Sequence, residues 1–99
     1  MNPNLHLPDG DIARFCRAHA IRELALFGSA TRADFRDDSD VDVLIDLRSD
    51  ARVGLVALQR MRDELSLILG RRVDLVTRNG LNRHIREGVL KEAEVVYAE

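Results

Sequence analysis

Three short apolar runs, each bordered or interrupted by small polar and acidic residues, constrain this chain most. Leu24-Ala25-Leu26-Phe27 leads directly into Gly28-Ser29. Ten residues later comes Asp40-Val41-Asp42, followed by Val43-Leu44-Ile45. A third run, Val73-Asp74-Leu75-Val76, carries an Asp inside it. Runs of this length bounded by turn residues read as strands. An Asp within a strand is unfavourable by propensity, and two of these strands have one.

Helical periods fill the intervals. Ile12, Phe15, Cys16 and His19 recur at i, i+3, i+4 and i+7, which predicts a short helix with one buried stripe. Asp9 is placed to cap it, with Asp11 in its first turn. His19 reads as a histidine at a helix C-terminus rather than as a ligand or base. Leu55, Leu58, Met61, Leu65 and Ile68 predict a helix over 54–69 with one apolar face, and Gly70 is placed as its C-terminal cap. Asn79-Gly80 is a turn, and residues 81–92 form a last helix carrying Leu81, Ile85 and Val89. Strands are expected over 22–27, 41–47 and 72–77, with a short edge strand at Val95, Val96 and Tyr97. Residues 28–33 read as a tight turn entering a short helical piece, and 34–40 as a polar loop. Strands alternating with helices imply an α/β sheet with helices packed on it. If the helices cover mainly one face, the other is left partly open.

The chain of 99 residues fits one domain over 1–99, with residues 1–8 an untethered lead-in. Such a size buries roughly 60–65% of the unfolded surface. The formal charge of −2 argues against a general nucleic-acid binder, which needs a basic surplus or stripe. Cys16 is the sole cysteine, so no internal disulfide forms, in keeping with a reducing compartment. No signal peptide is visible at the start, and no apolar run approaches the roughly 20 residues of a membrane helix. The expectation is a cytoplasmic protein.

Asp40 and Asp42 are two apart, so on one extended segment their side chains share a face. Carboxylates facing the same way repel unless a cation stands between them. Mg²⁺ suits hard oxygen ligands and is often held by one or two carboxylates plus substrate phosphates. If the third strand neighbours the second, Asp74 completes a three-carboxylate cluster that can hold two metals. The alternative is structural: Asp40 caps a turn, Asp42 begins an edge strand, and Asp74 pairs with Arg71 or Arg72. Gly28-Ser29 follows a strand and opens a helical turn, where backbone N–H groups attract anions. Read alone, it is also an ordinary strand-to-helix turn. Arg32 lies one turn on and Arg36 just beyond; each is either a triphosphate contact or a solvated charge.

The stretch LALFGSATRADFRDDSDVDVLID, Leu24 to Asp46, closely resembles the nucleotidyltransferases of the DNA polymerase beta superfamily. Their pattern is a Gly-Ser turn, a spacer of about this length, Asp-x-Asp, and a third Asp on a later strand. Arg32, Ser39 before Asp40, and Val-Asp-Leu-Val at 73–76 match the minimal nucleotidyltransferase (MNT) branch. The closing segment, Ile85-Arg86-Glu87 through Glu92-Ala93 to Tyr97, resembles the usual end of that branch. Ala33 stands where Gly is usual and Asp37 where Pro is often found; neither removes a proposed ligand.

The resemblance implies a polymerase-beta-like palm, a small mixed sheet with helices packed mainly on one face. It implies that Asp40 and Asp42 bind both Mg²⁺ ions, that Asp74 binds one at the nucleophile, and that Gly28 and Ser29 hold the β and γ phosphates of ATP, with Arg32 beside them. The implied reaction is attack of a hydroxyl on the α-phosphate, releasing pyrophosphate. Members of the branch are commonly antitoxins paired with a HEPN-domain ribonuclease toxin, which they silence by transferring AMP to a toxin tyrosine. Two further readings stay open: an antitoxin that blocks its toxin by contact alone, and an enzyme modifying a small molecule. Whether the chain forms a homodimer or a hetero-oligomer is left open.

Overall fold

A computed structural model describes residues 7–28, 40–48 and 53–99. The order of elements is α1 (Asp9–Ala18), β1 (Ile21–Phe27), β2 (Val41–Leu47), α2 (Leu55–Leu69), β3 (Val73–Thr77), a 3-10 turn (Arg78–Gly80), α3 (Arg83–Glu92) and β4 (Glu94–Ala98). The short helical piece and polar loop expected over 28–40 lie, apart from Gly28 and Asp40, outside the described residues.

Among the described residues the strands form one mixed sheet in the order β3-β2-β1-β4. β1 pairs antiparallel with both β2 and β4, while β2 and β3 are parallel. A parallel pair consecutive in the chain needs a crossover, and α2 supplies it. Alternation then sorts the side chains. Val41, Val43 and Ile45 of β2, Leu24 and Leu26 of β1, and Val73 and Leu75 of β3 join one core with Ile12, Phe15 and Cys16 of α1 and Met61, Leu65 and Leu69 of α2. The intervening residues Asp42, Leu44 and Asp46 face the other way, as period two requires.

The helix ends differ from the sequence expectation in instructive ways. Asp9 is not the cap of α1. The helix starts at Asp9, and the Ile12 N–H donates to the Pro8 carbonyl at 3.0 Å. Asp9 and Asp11 therefore act through their charge at the positive end of the helix. Gly70 does close α2, in the left-handed region at φ 67°, with its N–H directed to the Ser66 carbonyl. The apolar face of α2 starts later than expected: Leu55, in the first turn, is 73% exposed, and Leu69 is buried instead. α3 buries none of its residues; Leu81 is buried just before it, and Ile85 is exposed. β4 is an edge strand, with Tyr97 opposite Leu24 and packed against the core.

Burial pushes the Cys16 thiol up from its ordinary 9.0 to about 12, against a smaller opposing pull from Arg17. His19 bonds through Nε2 to Glu64 on α2 at 2.5 Å, tying the end of α1 to the second helix. No helix among the described residues is long and apolar enough to cross a membrane.

Candidate active site

The parallel register of β2 and β3 sets Asp42 directly beside Asp74. Partners at one register position of a sheet point to the same face. Both face away from the side packed by α1 and α2. Asp42 is half-buried and Asp74, on the edge strand, is exposed. Adjacent strands lie about 4.8 Å apart, so two like charges at such a position repel. A cation between them offsets that cost, and carboxylate oxygens are the ligands Mg²⁺ prefers.

Asp40 stands just before β2, exposed. Its Oδ1 accepts from Arg72 Nε at 3.0 Å. Beside this pair, the Val41 N–H donates to the Arg72 carbonyl at 2.9 Å. The structural reading of Asp74 as a partner of Arg72 therefore does not describe the arrangement; Arg72 takes Asp40 instead. With Asp40 turned to Arg72, no group of three or more acidic, histidine or cysteine side chains among the described residues is gathered as an ion site. The donor set present is the Asp42–Asp74 pair, with Asp40 one residue before the strand.

Gly28 follows β1 and meets Asp42 from the other side. Phe27 is the register partner of Asp42 across the antiparallel β1–β2 ladder. Gly28 follows at φ 64°, in the left-handed region. The backbone angle favours glycine, and a Cβ placed there would force the Asp42 carboxylate to shift. Its N–H donates to Glu92 Oε1 at 2.8 Å. Ser29 and Arg32, the other two expected nucleotide contacts, lie outside the described residues.

A shallow groove of about 170 Å³ borders Asp74 and is lined also by Leu58, Gln59, Arg62 and Leu75. It leaves that carboxylate an accessible side. At the opposite end of β2, Asp46 is 9% exposed and accepts from Arg22 Nε at 2.9 Å, with Arg78 Nη1 at 3.5 Å. Sequence reasoning assigned no role to Asp46 or Glu92. For Asp46 the available signal was its place two residues beyond Leu44 on the strand of Asp42. For Glu92 it was an acid in the last turn of a helix, where the dipole disfavours it.

Comparison with known proteins gives one family and a consistent set of relatives. Residues 6–96 match the family model described as "Nucleotidyltransferase domain". Protein adenylyltransferase MntA of Thermococcus cleftensis is 39% identical over 77 residues, covering 78% of this chain and 74% of that protein. A crystal structure of a toxin–antitoxin with AMP-PNP superposes with a TM-score of 0.78 at 19% identity, over 94% of this chain and 75% of that one. A tri-AMPylated Shewanella oneidensis HEPN toxin in complex with MNT antitoxin gives 0.69 at 17% identity, over 92% and 70%. At these identities the two structures speak for the fold, which is the polymerase-beta-like nucleotidyltransferase fold.

Proposed function

Because this chain belongs to the nucleotidyltransferase domain family, we propose that it transfers AMP from ATP to a hydroxyl of a partner protein, a tyrosine of a HEPN-type toxin, and so acts as an antitoxin. The observation that supports the reading best is the in-register Asp42–Asp74 pair with Gly28 fitted against Asp42. Relatives named as protein adenylyltransferases give the acceptor class.

Asp42 and Asp74 would hold Mg²⁺, joined by Asp40 once its carboxylate leaves Arg72. The metal supplies charge neutralisation for the triphosphate. The rest falls to the protein's own groups. Gly28, with Ser29 and Arg32, would seat the β and γ phosphates, since a glycine turn lets phosphate approach the backbone closely. Asp42, half-buried, faces the nucleotide side. Asp74, exposed on the edge strand, faces the side from which an acceptor can enter. There it orients the incoming hydroxyl and draws its proton. The hydroxyl oxygen bonds to the α-phosphorus, the bond to the bridging oxygen breaks, and pyrophosphate leaves. Such transfer is largely positioning and electrostatics, within reach of a domain this small.

The test is intact-mass spectrometry of the toxin partner co-expressed with this chain. Wild type should leave AMP on the partner, and Asp42→Asn should leave none while still binding it. An unmodified partner that is nonetheless inhibited would replace transfer with steric blocking.

A further inference from the structure

The Gly28–Glu92 bond joins residues 64 apart in the chain, and the sheet register explains why they meet. In the antiparallel β1–β4 ladder Leu26 stands opposite Glu94. Two steps further along both strands, Gly28 stands opposite Glu92. There the segment preceding β4 is helical, because Glu92 ends α3. Its backbone can no longer continue the ladder, and its side chain takes over, accepting from the Gly28 N–H at 2.8 Å.

A carboxylate in the last turn of a helix opposes the helix dipole. Glu92 is also exposed and contributes nothing to the core. Its position is unfavourable for α3 itself, and the bond to Gly28 is a contact that offsets that cost. That contact fixes the residue whose left-handed backbone lies against Asp42. We propose that Glu92 is a positioning residue of the nucleotide site: by bonding the Gly28 amide it holds that residue in register with Asp42, so that a bound triphosphate meets a Gly28 backbone already placed. The opposite arrangement is a latch, in which Glu92 occupies a donor that phosphate must win. The register argues for positioning, because β4 anchors Glu92 beside Gly28 whether or not a nucleotide is bound.

The inference rests on the nucleotide site proposed above, so its test has two parts. The first needs no nucleotide. Amide hydrogen exchange at Gly28 should accelerate at least tenfold in Glu92→Ala and stay near wild type in Glu92→Gln, whose side-chain oxygen still accepts. Unchanged exchange in Glu92→Ala would overturn the inference whatever the protein binds. The second is titration with ATP and Mg²⁺. Glu92→Ala should bind about tenfold more weakly, equivalent to about 1.4 kcal/mol, with Glu92→Gln within about threefold of wild type. Tighter binding by Glu92→Ala would overturn positioning in favour of a latch. If wild type itself binds no ATP, the nucleotide-site reading fails, and the positioning role fails with it. The exchange result would still report on the contact alone.

Discussion

At the scale of single residues, Gly28 is the position where backbone and side-chain demands coincide. Its φ is positive and its missing Cβ leaves the room that Asp42 Oδ2 occupies. Gly28→Ala should therefore cost about 2–3 kcal/mol in thermal or urea unfolding, more than backbone strain alone. Asp42 should behave in the opposite sense. Replacing it removes one of two like charges at a register position, so Asp42→Asn should keep or raise stability in metal-free buffer, by up to about 1 kcal/mol. A large loss in the same unfolding measurement would make Asp42 a structural residue. The pairing of Asp42 with Asp74 was legible in the sequence because both sit in apolar runs where an acid is out of place. The Arg72 contact of Asp40 was not. It depends on register across two strands 32 residues apart, which spacing along the chain does not encode. Asp46 with Arg22 and Arg78 escaped for the same reason.

At the scale of elements, amphipathic period and cap chemistry carried the reading. β2 spans 41–47 as its apolar run predicts, and α2 ends at the expected glycine. Gly70 tests how local that cap is. Its φ is 67°, yet a Cβ there would meet nothing within 4 Å. Gly70→Ala should cost only the backbone penalty, about 1 kcal/mol, and less than Gly28→Ala by the Asp42 collision. Equal losses at the two glycines would show that the Asp42 contact adds nothing. α3 was the least legible element. Its periodic residues Ile85 and Val89 suggest a buried stripe, but the helix buries none of its residues. Period identifies an amphipathic helix without saying what covers its apolar side. The expected cap at Asp9 failed more simply: the helix begins at Asp9, so the N-cap position falls on Pro8, whose side chain has no acceptor to offer the first-turn N–H groups.

For the whole molecule, one mixed sheet places its core and its acidic pair on opposite faces. Cys16 reports on the core. With its thiol raised to about 12 against an ordinary 9.0, the unfolded chain loses this proton first as pH rises. Stability should then be level in this respect below pH 9 and fall between about pH 9 and 12. Cys16→Ala or Cys16→Ser should flatten that part of the curve. In the folded protein at pH 8 the thiol should resist alkylation until unfolding exposes it. A fast native reaction would contradict the burial.

The acidic face is where this chain would transfer a nucleotidyl group. That transfer is tested most directly by offering the protein, together with the HEPN-type toxin proposed as its acceptor, ATP labelled at either the α- or the γ-phosphate, with Mg²⁺ present. Label should reach the partner from α-labelled ATP alone, pyrophosphate should be released in step with it, and chelating the metal or Asp42→Asn should stop both. Label arriving from the γ position, or arriving unchanged with Asp42→Asn, would contradict it.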